Sequence, residues 1–173
     1  MKKTRGAYEI RRARMIVNDR SEFLGTLQSI GRKHSTHIIC FNADNIAGSR
    51  HAEAAIHYAQ RSFFSGKPIS NSFEMEALLF AAASRQCNLA ASFGIHELEN
   101  CMFVCSSPEN ESVWEELSHH MHFVTEMWDE ITMEKEERLR FFFGISQEEL
   151  ALVGRTRIID LVLERIALLE VSR

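Results

Sequence analysis

Only four of the 173 residues are cysteine and only two are proline. Four thiols in a chain of this length do not make the disulfide framework on which small secreted domains rely. No apolar run reaches the roughly 20 residues that a membrane-crossing helix needs, so no membrane partner is expected. The start, Met1-Lys2-Lys3-Thr4-Arg5, is basic, but Tyr8-Glu9-Ile10-Arg11-Arg12 stands where a signal peptide would carry its apolar region. The expected location is therefore the cytoplasm. No Gly-x-Gly-x-x-Gly and no Walker loop follow any strand candidate, which leaves a nucleotide cradle unsupported. A Gly-x-Ser-x-Gly elbow is also missing, as are internal repeats and low-complexity segments.

What is present suits one globular domain spanning 1–173, with residues 1–6 as a flexible basic tail. Hydrophobic residues make up 45% and charged residues 25%, an ordinary balance. The net charge of −4 hides an asymmetry. Residues 1–33 carry nine Lys/Arg against three Asp/Glu, whereas residues 109–137 carry ten Asp/Glu against Lys135 alone. One end suits a polyanion and the other repels it; a basic tail and a solvated acidic face would look the same.

Alternation at Tyr8 to Val17 predicts a first strand with its arginines toward solvent. Ser21 is placed to cap a short helix that Gly31 ends, and His37-Ile38-Ile39-Cys40-Phe41 reads as a central strand. A helix over 49–65 carries one apolar stripe, Ala52, Ala55, Ile56, Ala59 and Phe63, with Arg50, Ala54, His57 and Arg61 on another side. Asn71-x-x-Glu74 resembles a capping box opening the next helix, which is wholly apolar from Ala77 to Ala83 and ends on Ser84-Arg85-Gln86. Asn88 can cap a short helix ending at Phe93-Gly94, and Cys101 to Cys105 reads as a strand. Helices follow at 109–120 and 132–143, then a turn capped by Ser146 and a last helix over 156–171. Residues 121–131 carry no clear pattern. The expected fold class is mixed α/β (α+β): a small central sheet covered by several helices.

Three groups of residues invite chemistry. Cys101 and Cys105, four apart on a strand, share one face, which suits core packing better than the two-residue gap of a zinc turn. His119-His120-Met121-His122 offers imidazoles, but neighbours on a helix point apart. His96 with Cys87 or Cys101 is the available thiol–imidazole pair for a small thiol- or metal-dependent enzyme. The third group is cationic. Arg50, His57 and Arg61, then Lys67, then Arg85 and Gln86, would converge at one end of a helical pair. Arginine forks grip phosphates and amides read base edges, with Tyr58, Phe64 and Phe73 as stacking platforms. In the plainer reading Arg61 is solvated and Arg85 caps helix carbonyls.

The run from Ile46 to Ile95 resembles the Cgi-type subunit of the KEOPS complex, the PRPK-binding protein family. The resemblance is carried by Ala59-Gln60-Arg61-Ser62-Phe63, Ile69-Ser70-Asn71-Ser72, Glu74-Met75-Glu76-Ala77-Leu78-Leu79, Ala83-Ser84-Arg85-Gln86 and Phe93-Gly94-Ile95. It covers about residues 37–105, with a second patch at 156–171. It implies a non-catalytic subunit with no cofactor, no catalytic residue and no metal. Such a subunit docks on the kinase-like ATPase of the complex, meets its other subunits indirectly, and helps recruit tRNA, including the single-stranded 3′ CCA end. The complex installs threonylcarbamoyl on the adenosine beside the anticodon of ANN-decoding tRNAs, in the cytoplasm or nucleus. The residues assigned to RNA on this reading are Arg61, Lys67, Ser84, Arg85 and Gln86. Those assigned to the kinase-like partner are Leu161, Leu163, Ile166 and Leu168 of the last helix. A pure kinase-binding scaffold is the plainer alternative, and an enzyme using Cys101 and His96 the more distant one. The basic tail and the acidic 109–137 segment match no part of the family pattern and take no role from it.

Overall fold

The computed structural model describes residues 6–172. Residues 1–5 of the expected basic tail lie outside that range, while the carbonyl of Gly6 accepts a hydrogen bond from Gln60 Nε2 at 3.0 Å. The chain builds β1 (Glu9–Val17), α1 (Arg20–Lys33), β2 (His37–Asn42), α2 (Ser49–Phe64), α3 (Phe73–Ala81), α4 (Cys87–Ala91) and β3 (Leu98–Ser107). It continues through α5 (Glu111–Leu117), β4 (His122–Val124), α6 (Met133–Phe143), α7 (Gln147–Val153), a 3-10 turn at Arg155–Arg157, and α8 (Ile158–Val171).

The four strands form one antiparallel sheet in the order β2-β3-β1-β4. Their two-residue alternation sorts side chains between its faces. Ile39, Phe41, Phe103 and Cys105 join one core with α2, α3, α6 and α8. Ile38, Cys40, Met102, Val104, Ala13 and Met15 join the other, against α1 and α5. The sheet is thus covered by helices on both faces, the mixed α+β layering expected from the sequence. Each fully buried large side chain, such as Phe41, Phe80 or Leu79, contributes roughly 1.5–3 kcal/mol of transfer free energy. Cys101, Phe103 and Cys105 do share a face, and the two cysteines pack as core.

Several local expectations are corrected. Asp19, not Ser21, caps α1 by accepting the Glu22 N–H at 2.9 Å. Gly31 does not end that helix. It lies within it, because a Cβ there would sit 2.7 Å from the Thr36 carbonyl oxygen that folds back onto α1. Ser72, not Asn71, caps α3 through the Met75 N–H at 3.0 Å. Gln86, not Asn88, holds the N-cap position of α4. Helix α5 is shorter than expected, and the patternless stretch contains β4, three residues that pair with Arg12 to Arg14.

Candidate functional site: the ends of α2, α3 and α8

Helix α2 places Arg50, His57 and Arg61 on its exposed side, as its 3.6-residue period requires. None of the three faces open water alone. Arg50 lies 3.8 Å from Asp160 at the start of α8. The Arg61 guanidinium lies 5.8 Å over the Tyr58 ring, with Nε 3.3 Å from Glu170 Oε1 near the end of α8. Tyr58 is itself stacked on Phe80 of α3, ring centres 5.6 Å apart.

The end of α3 explains what Arg85 does. Ala83 takes a left-handed conformation, φ 47°. The Ser84 N–H returns to Leu79 O at 3.0 Å and the Ala83 N–H to Phe80 O at 3.0 Å. This pair of bonds is the Schellman closure, so α3 satisfies its own last carbonyls. The carbonyl of Ala81 accepts from buried His51 Nε2 at 2.8 Å. Arg85 has no carbonyl of its own helix to cap. Its Nη2 donates instead to Ser172 O, just past α8, at 2.6 Å. A cation at a helix C-terminus complements the negative end of the helix dipole. Arg61 and Arg85 therefore arrive from two helices at the end of a third.

Lys67 stands apart from Arg85. It sits in the link between α2 and α3, whose course is set by Glu76. The Glu76 carboxylate is wholly buried and accepts from Ser62 Oγ, Ile69 N (3.0 Å) and Ser70 N (2.7 Å). That clasp joins the start of α3 to the end of α2, while the His51–Ala81 bond joins the end of α3 to the start of α2. The two helices run oppositely, and nine residues of α3 put about 13 Å between Lys67 and Arg85 along its axis. Convergence of all the cations at one end of the pair is corrected on this ground. Ser84 Oγ accepts the Gln86 N–H at 3.1 Å, and Gln86 is exposed beside Arg85.

The four apolar residues assigned to the partner face part company. Leu161 and Ile166 are packed in the core, Leu163 is half-buried, and Leu168 is 52% exposed. The two-sided apolar character of α8 is spent mostly on holding it down. Its open side is left with Leu168 and Val171.

Among the described residues no hydrogen bond joins His96 to Cys87 or Cys101, and Cys87 is exposed. His96 is exposed, with Nδ1 on Glu97 O at 2.9 Å, whereas Cys101 packs against the core. Burial pushes the Cys40 thiol up to about 12 and raises that of Cys105 as well, so neither is a ready nucleophile. His119, His120 and His122 line a recess with Arg14 and Glu99. Among the described residues no group of three or more His, Cys, Asp or Glu is placed to hold a metal ion, and no helix is long and apolar enough to cross a membrane.

Sequence reasoning missed Glu170, Ser172, Glu76 and His51, whose partners are set by tertiary contact rather than by any local signal. It also missed a cavity of about 630 Å³ between α1, the edge of β2 and α3.

The fold and these helix ends define a helix-covered, four-stranded antiparallel domain whose polar tips gather on its last helix. No family model matches the chain. It is similar to the regulatory protein Cgi121 of Methanocaldococcus jannaschii, at 29% identity over 133 residues that cover 76% of this chain and 82% of that protein. That similarity bears out the Cgi-type resemblance drawn from the α2–α3 region and α8.

Proposed function

We propose that the protein is a regulatory, non-catalytic subunit of a KEOPS-type complex, binding its kinase-like ATPase and tRNA in support of threonylcarbamoyladenosine formation. The observation that carries this reading is the similarity to regulatory protein Cgi121 over 76% of the chain. On this reading tRNA, including its 3′ CCA end, meets the tip formed by Ser84, Arg85 and Gln86 together with Arg61, while Lys67 touches phosphate separately across α3. The kinase-like partner meets the open side of α8 through Leu168 and the exposed edge of Leu163. Leu161 and Ile166 serve this face from below, by fixing the helix to the core. The complex would work in the cytoplasm, or the nucleus in a eukaryotic cell.

One observation favours the plainer scaffold reading: Arg61 and Arg85 already lie on Glu170 and Ser172, which an RNA phosphate would have to displace. A pull-down with the kinase-like ATPase, with and without tRNA bearing an intact CCA end, separates the two. The subunit reading expects both partners to be retained, and RNA affinity to fall steeply with salt as phosphate counterions are released. Kinase capture with no RNA binding at low salt would leave the scaffold. Capture of neither would remove both.

A further inference from the structure

The edge of β2 is closed at both ends and open in its middle. In an antiparallel strand the N–H and C=O of one residue point to the same side, and the side alternates along the chain. The Asn42 N–H donates to Phe93 O at 2.7 Å and Asn42 O accepts the Asn45 N–H at 3.0 Å, so Asn42 faces away from β3. Three steps of the alternation earlier, the Thr36 N–H donates to Gly31 O at 2.9 Å, also away from β3. Ile38 and Cys40 lie between them with the same outward orientation, and among the described residues no chain segment pairs with their outward N–H and C=O groups. These groups face the cavity of about 630 Å³, a size typical of ligand sites. Peptide groups shielded in this way normally have partners.

The walls specify the partner. Leu24 and Leu27 of α1 stand on one side, Met75 and Leu78 of α3 on the other. A strand laid against Ile38 and Cys40 would extend the sheet and send alternate side chains to these two apolar walls. Arg20 and Arg32, at opposite ends of α1, also line the cavity. Arg20 spends one N–H on Ile95 O at 2.8 Å and keeps the rest of its fork.

We propose that this edge is a docking site for an extended segment of a partner protein, three consecutive apolar residues flanked by acidic ones, which adds a strand beside β2. The first and third residues exchange hydrogen bonds with Cys40 and Ile38, and the flanking carboxylates meet Arg20 and Arg32. The proposal does not depend on the RNA or kinase assignments above, which concern the ends of α2, α3 and α8.

The test uses the full chain and the peptide acetyl-Asp-Val-Ile-Val-Glu-amide. Titration followed by amide hydrogen exchange is expected to show saturable binding that slows exchange at Ile38 and Cys40 and leaves the already paired Ile39 and Phe41 little changed. Methylating both valine nitrogens removes the two N–H donors facing β2 and should weaken binding at least about tenfold, whereas methylating the isoleucine nitrogen alone should change it by no more than about twofold. Substituting both peptide acids by lysine should also weaken it. No saturable binding up to about 1 mM, equal binding of the doubly methylated peptide, or binding without protection at Ile38 and Cys40 would each overturn the proposal. So would protection of these amides by a CCA-ending oligonucleotide in place of the peptide.

Discussion

The guanidinium of Arg85 ends on the main-chain carbonyl of Ser172, Nη2 to O 2.6 Å, and so ties the tip of α3 to the end of α8. An arginine after a buried helix therefore caps a carbonyl, but one that belongs to a different helix. Arg85→Ala should leave the core intact and free the last turn of α8. The bond is exposed, so its loss is expected to cost only about 0.5–1.5 kcal/mol. Backbone amide exchange at the end of α8 should rise by a larger factor than exchange at Leu79 or Phe80. Equal changes at both places would show that Arg85 supports the core rather than the helix end.

Glu76 is the most committed carboxylate in the described structure, wholly buried with Ser62 Oγ, Ile69 N and Ser70 N as donors. Glu76→Ala would take the acceptor from the part-buried Ile69 and Ser70 N–H groups and from buried Ser62 Oγ, a loss of roughly 2–3 kcal/mol. Glu76→Gln keeps the shape but offers one acceptor oxygen in place of two, so it should fall between wild type and alanine. Urea unfolding of the three proteins orders them. If alanine were no worse than glutamine, the clasp on the α2–α3 link would not be a major source of stability.

How much of this could be read beforehand depends on the range of the cause. The apolar stripe of α2, the alternation of β1 and the shared face of Cys101 and Cys105 are set by local period, and all were legible. Strands β2 and β3 were legible as apolar runs, but β2, expected as a central strand, lies at the sheet edge, because its apolar side chains are covered by helices on both faces rather than by a second neighbouring strand. The helix end at residue 143 and the cap at Ser146 were legible from equally local signals. Strand β4 was not, because three residues are too few for alternation to show and their strand character comes from pairing with β1. The cationic tips were legible as residues but not as a site. Arg61 and Arg85 meet α8 only because α2, α3 and α8 share one core, and Lys67 is set apart from Arg85 because α2 and α3 run oppositely. On α8 the apolar pattern announced burial on more than one side, yet could not say that Leu161 and Ile166 belong to the core and Leu168 to the surface.

Helix α2 begins without a side-chain cap from its own N-cap residue, Gly48. Asp129 supplies the carboxylate from the acidic segment, with Oδ1 2.6 Å from the Ser49 nitrogen. Gly48 stands at φ 120°, and a Cβ there would lie 2.5 Å from that same oxygen. Gly48→Ala should destabilise by roughly 1–3 kcal/mol through backbone strain and expulsion of the carboxylate. Asp129→Ala should cost about 1 kcal/mol through the lost cap. Because both act on one contact, the double variant should lose less than the sum. Thermal melts of the four proteins check this, and strict additivity would mean that Asp129 is not the cap.

His51 joins the two ends of this helical pair and gives the fold a pH dependence. Its ring is wholly buried between the Ala47 N–H, 2.9 Å from Nδ1, and Ala81 O, 2.8 Å from Nε2. Nδ1 must accept from a backbone N–H, so the proton of the neutral ring sits on Nε2. A second proton would have to displace the Ala47 bond inside the core. Burial accordingly pushes the imidazolium pKa down from 6.5 to about 4, with Lys135 adding to the depression and the Ala81 bond opposing it. Between these two pH values the unfolded chain takes up a proton that the folded chain refuses. Stability is therefore greatest above pH 6.5 and declines as the solution is acidified toward pH 4, by about 3 kcal/mol from this group. His51→Gln retains a donor and an acceptor but does not titrate. The variant will be less stable at neutral pH, and its urea midpoint should fall more gently than that of the wild type between pH 7 and pH 4.5. Parallel declines in the two proteins would place the acid sensitivity on other groups.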